Sequence, residues 1–117
     1  MDNTVEKRTN INIEVGLNKE GVPVEMNWRA ADNPNQKEMQ PCKAMLLSLF
    51  DKKTKDTMKI DLWTTEMQVV EMDRFIFQSL RAISDTYYKA TNNKEMAEKM
   101  AAFVDHFGKE TEIIPKE

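Results

Sequence analysis

The stretch from Lys43 to Thr65, KAMLLSLFDKKTKDTMKIDLWTT, constrains the fold more than any other part of the chain. Two apolar runs flank a polar, lysine-rich break, which is the sequence form of a β-hairpin. With Lys52-Lys53-Thr54-Lys55 as the break, Asp51 faces Asp56. Antiparallel pairing then sets Leu49 opposite Met58, Leu47 opposite Ile60 and Met45 opposite Leu62. Side chains alternate between faces along a strand, so these six share one apolar face. A slip of one residue would set Leu49 against Lys59 and Leu47 against Asp61, which argues for this register. The opposite face carries Ala44, Leu46, Ser48 and Phe50 against Trp63, Asp61, Lys59 and Thr57. The competing reading is a helix over Gln36 to Asp51, because Cys42, Met45, Leu46, Leu49 and Phe50 also fit a helical stripe. Only about ten residues would follow Pro41, short for a helix. The strand is preferred.

A second hairpin precedes it. Ile11, Ile13, Val15 and Leu17 alternate with polar residues, and Val22, Val24, Met26 and Trp28 resume the pattern. Asn18-Lys19-Glu20-Gly21 reads as a four-residue turn, with glycine free to take positive φ. That turn pairs Leu17 with Val22, Val15 with Val24, Ile13 with Met26 and Ile11 with Trp28. Pro23 has no N–H to donate, so its strand is expected to be an edge or to be unpaired there. Ala30 to Pro41, AADNPNQKEMQP, reads as the connecting loop.

Beyond Thr65 the period changes. Thr65 with Gln68 suggests a capping box, and a helix is expected to start between Thr65 and Val70. Met72, Ile76, Leu80, Ile83, Tyr87 and Ala90 form its apolar stripe. Asn92 with Glu95 suggests a second capping box, opening a helix with the stripe Met96, Met100, Phe103, Val104 and Phe107. Gly108 is the expected stop. Strands followed by segregated helices give an α+β fold. The expected architecture is two antiparallel β-hairpins forming one four-stranded sheet, followed by two C-terminal α-helices packed on one face.

At 117 residues and 40% hydrophobic content, a single domain over residues 1–117 can bury a core, with 1–8 and 109–117 as loose ends. A net charge of -3 gives no electrostatic case for nucleic acid. One cysteine, Cys42, cannot form an intramolecular disulfide, and the N-terminus lacks an apolar signal region. No stretch approaches a membrane span. A cytoplasmic protein is expected. The nine methionines read first as core filler, and second as an adaptable binding surface.

Chemistry finds no constellation. His106 stands alone beside Asp105, with no second histidine to share a metal. Cys42 has no CxxC partner. Ser48 and Ser84 lack a nucleophile-elbow context. Gly16, Gly21 and Gly108 are too dispersed to cradle a phosphate. Glu66, Glu71 and Asp73 suit a helix N-terminus. The lysines 52, 53, 55 and 59 are balanced by Asp51, Asp56 and Asp61. No enzyme, cofactor or metal site is expected. What remains is the apolar group Leu46, Phe50 and Trp63 on the second hairpin face, since exposed apolar and aromatic area marks interaction sites. It is the candidate interaction surface, for a second copy or another protein. The bland alternative is that the tail, through Ile113 and Ile114, folds back over it.

Four pieces carry a resemblance over nearly the whole chain. They are the first alternation with EMNWRA; AMLLSLFD followed by TMKIDLWT; EMQVVEMDRF; and DTYYKATNN before the last helix. The sequence resembles the gliding motility protein GldC family. That resemblance implies a small, non-enzymatic cytoplasmic accessory protein acting beside a cell-envelope motility machine, and it assigns no functional residue. The alternative is a chaperone-like or small-ligand-binding module unrelated to motility.

Overall fold

The β-hairpin at the centre of the chain forms in the register its sequence dictates. In the computed structural model, which describes residues 2–31 and 38–115, strands β4 (Ala44–Phe50) and β5 (Thr57–Trp63) pair antiparallel. Leu49 lies opposite Met58, Leu47 opposite Ile60 and Met45 opposite Leu62. The Asp51 amide donates to the Asp56 carbonyl at 2.9 Å, which closes the turn where it was expected. The competing helix is excluded over residues 44–50.

Asp51 also holds the turn from its side chain. Its Oδ2 accepts from the amides of Thr54 at 2.7 Å and Lys53 at 3.0 Å. These bonds to the ionised form, led by Thr54, hold the Asp51 carboxyl below the usual carboxylate range. A depressed folded-state pKa means the stabilisation is fully present above the unfolded-state value, about 4. It is lost as pH falls through the lower folded value. Amide exchange at Lys53 and Thr54 is therefore expected to speed up below about pH 4 beyond its intrinsic trend, and Asp51→Ala should remove that step.

The remaining strands, β1 (Ile11–Leu17), β2 (Pro23–Ala30) and β3 (Gln40–Cys42), form an antiparallel sheet in the order β1-β2-β3. The strands thus fall into a three-stranded and a two-stranded sheet, rather than the single four-stranded sheet expected. The reason is β3, which straddles the end of the expected loop, Ala30 to Pro41. It occupies the edge of β2 away from β1, pairing Cys42 with Met26 and Gln40 with Trp28. Lys43 then interrupts the extended run before β4 begins. The Thr64 amide donates to the Lys43 carbonyl at 2.8 Å, which carries the β4–β5 ladder one pair further, and the Thr65 amide, just past β5, donates to the Pro23 carbonyl of β2 at 3.2 Å. Residues 32–37 of the expected loop lie outside the described residues.

The first hairpin differs from expectation by two residues. Ile13 faces Trp28 and Val15 faces Met26, while Leu17 faces Pro23 across an irregularity between Gly16 and Leu17. Asn18 explains the longer connection. Its side chain accepts from the amides of Glu20 at 2.9 Å and Val22 at 3.1 Å, and its own amide donates to the Val22 carbonyl at 3.0 Å. Val22 is thereby drawn into the turn. Gly21 supplies the positive φ of 77° there. A two-residue shift keeps parity, so the apolar face survives. β2 is the central strand of its sheet, and Pro23 is its first residue, beyond the stretch that β3 pairs.

The strands belong to one compact unit, Met1–Met67, and the helices to another, Gln68–Glu117. Helix α1 (Val69–Thr91) starts within the expected interval. Its cap lies three residues beyond the one expected from Thr65: Gln68 stands at the N-cap, and its amide donates to Glu71 Oε1 at 3.1 Å. Thr65 is instead caught in the turn in which the Met67 amide bonds the Thr64 carbonyl at 3.1 Å. At the far end, Asn92 does not open the second helix. It closes α1 with φ 59°, and Asn93 caps α2 (Lys94–Glu110) by accepting from the Met96 amide at 3.1 Å. Asparagine tolerates the left-handed region, which is why the first of the pair serves as a C-cap.

Gly108 does not stop the helix. It is buried inside α2, where a Cβ would come within 2.6 Å of both Ile114 Cδ1 and Phe77 Cε1. The chain reverses after Thr111, with Glu112 at φ 63°, and the Ile114 amide donates to the Gly108 carbonyl at 3.0 Å. Glycine is present here because α1, α2 and the returning tail meet at one point.

Candidate interaction surface

The three singled-out side chains lie on one face of the β4–β5 hairpin, and all are exposed: Leu46 by 41%, Phe50 by 70% and Trp63 by 55%. They are not one patch. Trp63 stands opposite Ala44 and Leu46 opposite Asp61, so Leu46 and Trp63 are diagonal neighbours, about 7–8 Å apart. Phe50 lies four residues beyond Leu46, roughly 13 Å along the strand. Between them sit Ser48 and, opposite it, Lys59, whose ammonium is 3.6 Å from the Asp61 carboxylate. The surface is thus a Leu46–Trp63 pair and a separate Phe50, divided by a polar band.

The other face is less interrupted. Met45, Leu47, Leu49, Met58, Ile60 and Leu62 follow one another with no polar residue among them. Leu49, Met58 and Ile60, towards the turn, are exposed, while Met45, Leu47 and Leu62 are half-buried. Alternation in the sequence identified this face and gave it to the core. Alternation sorts residues into faces, but carries no signal for which face is covered.

The helical unit presents its own apolar feature. Leu80 and Ile83 of α1 and Met96, Met100, Phe103 and Val104 of α2 line a groove of about 350 Å³, with Lys99 at its rim. The tail is engaged elsewhere in this unit, with Ile114 seated against Gly108 and Phe77. Ile114 therefore has a place in the structure that the sequence did not show.

The remaining candidates have structural roles. Cys42 is half-buried in β3, and burial pushes its thiol pKa up, away from the reactive thiolate. Ser84 is buried and donates to the Ala97 carbonyl at 3.5 Å, joining α1 to α2. His106 is exposed on α2, its ring 6.3 Å from that of Phe103. Glu71 is spent on the capping box. Among the described residues no three His, Cys, Asp or Glu side chains group as a metal site, and no helix is long and apolar enough to cross a membrane.

A family model described as gliding motility-associated protein, GldC-like, matches residues 23–113. The match runs from the start of β2 through both helices to the returning tail. No curated protein and no solved structure is significantly similar to the chain.

Proposed function

As the chain belongs to the gliding motility-associated GldC-like family, we propose that it is a non-enzymatic cytoplasmic accessory of the motility apparatus, acting by binding another protein through the β4–β5 hairpin. The observation that supports this reading is the exposure of Leu46, Phe50 and Trp63 on one side of a two-stranded sheet. Aromatic side chains are the commonest anchors of protein interfaces, and truncating such an anchor costs about 2 kcal/mol or more of binding. The ion pair between Lys59 and Asp61 supplies a polar margin beside them.

The test is genetic. A strain lacking the gene should fail to spread over a surface, and a Trp63→Ser copy expressed at the native level should fail to restore spreading. Normal spreading by the deletion strain removes the motility assignment. Full rescue by Trp63→Ser keeps the assignment and removes this surface.

The groove on the helices favours a second reading, in which Met96, Met100, Ile83 and Phe103 receive an apolar guest. A hydrophobic dye bound by the native protein and released by Met100→Glu would support it.

A further inference from the structure

The outer edge of β5 is unpaired by any strand among the described residues, since β5 bonds only to β4. The residues that face outward can be read from the ladder. Asp51 bonds Asp56 and Thr64 bonds Lys43, so the intervening bonded pairs are Leu49–Met58, Leu47–Ile60 and Met45–Leu62. The backbone groups of Thr57, Lys59, Asp61 and Trp63 therefore point away from β4. Thr65, next in this series, gives its N–H to Pro23, which marks the end of the free edge.

An exposed strand edge is a template for another strand, and charged residues on an edge usually guard it. Here the charges do the opposite. Lys59 and Asp61 lie symmetrically about Ile60, so an antiparallel second copy of β5 centred on Ile60 sets each lysine opposite an aspartate. We infer that the edge of β5 is a self-complementary dimer surface, on which a second copy of this chain pairs about a two-fold axis at Ile60. This goes beyond the hairpin face assigned above, because it rests on the free backbone edge of β5 rather than on the exposure of that face.

The register is selected by the sequence. Ile60 faces Ile60 of the second copy, Met58 faces Leu62, Lys59 faces Asp61 and Thr57 faces Trp63. Every outward-bonding residue then meets an outward-bonding residue, and all seven residues of the strand are paired. Slips by two residues set Lys59 against Lys59, or Asp61 against Asp61. Slips by one residue set outward-bonding residues against inward-bonding ones and put Ile60 against a charge. The pairing is isologous, so each favourable contact occurs twice. It also brings Trp63 of one copy across Thr57 to the Phe50 of the other, with about 10 Å between their Cα atoms across two ladder spacings. The aromatic groups separated on one hairpin become neighbours on two.

The test is the solution mass by light scattering at up to roughly 100 μM, where a micromolar dimer is nearly filled. The native chain should weigh twice its 13.6 kDa. Lys59→Asp should raise the dimer dissociation constant roughly tenfold or more, because it sets two pairs of like charges face to face. The swap Lys59→Asp with Asp61→Lys should restore the dimer. A separate variant guards against misfolding: Cys42→Ser with Ile60→Cys should form a symmetric disulfide on oxidation, since a non-bonded antiparallel pair holds its Cα atoms about 4.5 Å apart. A native chain that remains monomeric overturns the inference. So does a dimer unmoved by Lys59→Asp, or one that Ile60→Cys fails to cross-link.

Discussion

Phe77→Ala is expected to lower the stability of the helical unit by about 3–5 kcal/mol. Phe77 is only 7% exposed, and its ring edge occupies the space that a side chain at position 108 would fill. Removing the ring leaves Ile114 and Gly108 without the surface they pack on, so the loss combines transfer and cavity terms. Gly108 cannot close the gap, having no side chain. Both tryptophans, Trp28 and Trp63, lie outside residues 68–117, so helical circular dichroism during denaturant unfolding reports this loss. The helical transition should move to lower denaturant, while a tryptophan signal that moves as far would show that the two units unfold together.

Met26→Ala is expected to cost about 2–5 kcal/mol in the strand unit. Met26 is the most buried large side chain among the described residues, 1% exposed, and it sits in the ladder between Val15 of β1 and Cys42 of β3. It therefore depends on the short strand β3 for part of its cover. The measurement is tryptophan fluorescence during denaturation, with Trp28 two residues away as the reporter. A shift smaller than about 0.5 kcal/mol, the size usual for exposed substitutions, would contradict the burial of Met26.

These two side chains show what the sequence could and could not reveal. Period identified both hairpins and both helices, and the β4–β5 register followed from the polar break at Lys52–Lys55 together with alternation, which rejects a slip of one residue. The first hairpin gave way by two residues because the Asn18 side chain ties down a longer turn, and alternation is blind to an even shift. β3 was missed for a different reason. Gln40, Pro41 and Cys42 carry no alternating signal, and three residues hold together as a strand only because β2 lies beside them. Local sequence marks Gly108 as a helix stop, whereas its role comes from Phe77, 31 residues away, and from Ile114 of the returning tail. The candidate surface was half legible. Its residues share the expected face, and the register already set Ser48 opposite Lys59 between Phe50 and Leu46; the exposure of the three side chains and the 3.6 Å ion pair of Lys59 with Asp61 are what alternation could not show.

Site-specific photocross-linking in living cells shows whether the β4–β5 hairpin is where this chain meets another protein, with a photoreactive residue placed at Trp63, at Phe50, and at Glu14 of β1 as the control. Adducts with a second protein are expected from positions 63 and 50, besides any self-adduct, and none from position 14. Self-adducts alone, or the same adducts from all three positions, would contradict that placement.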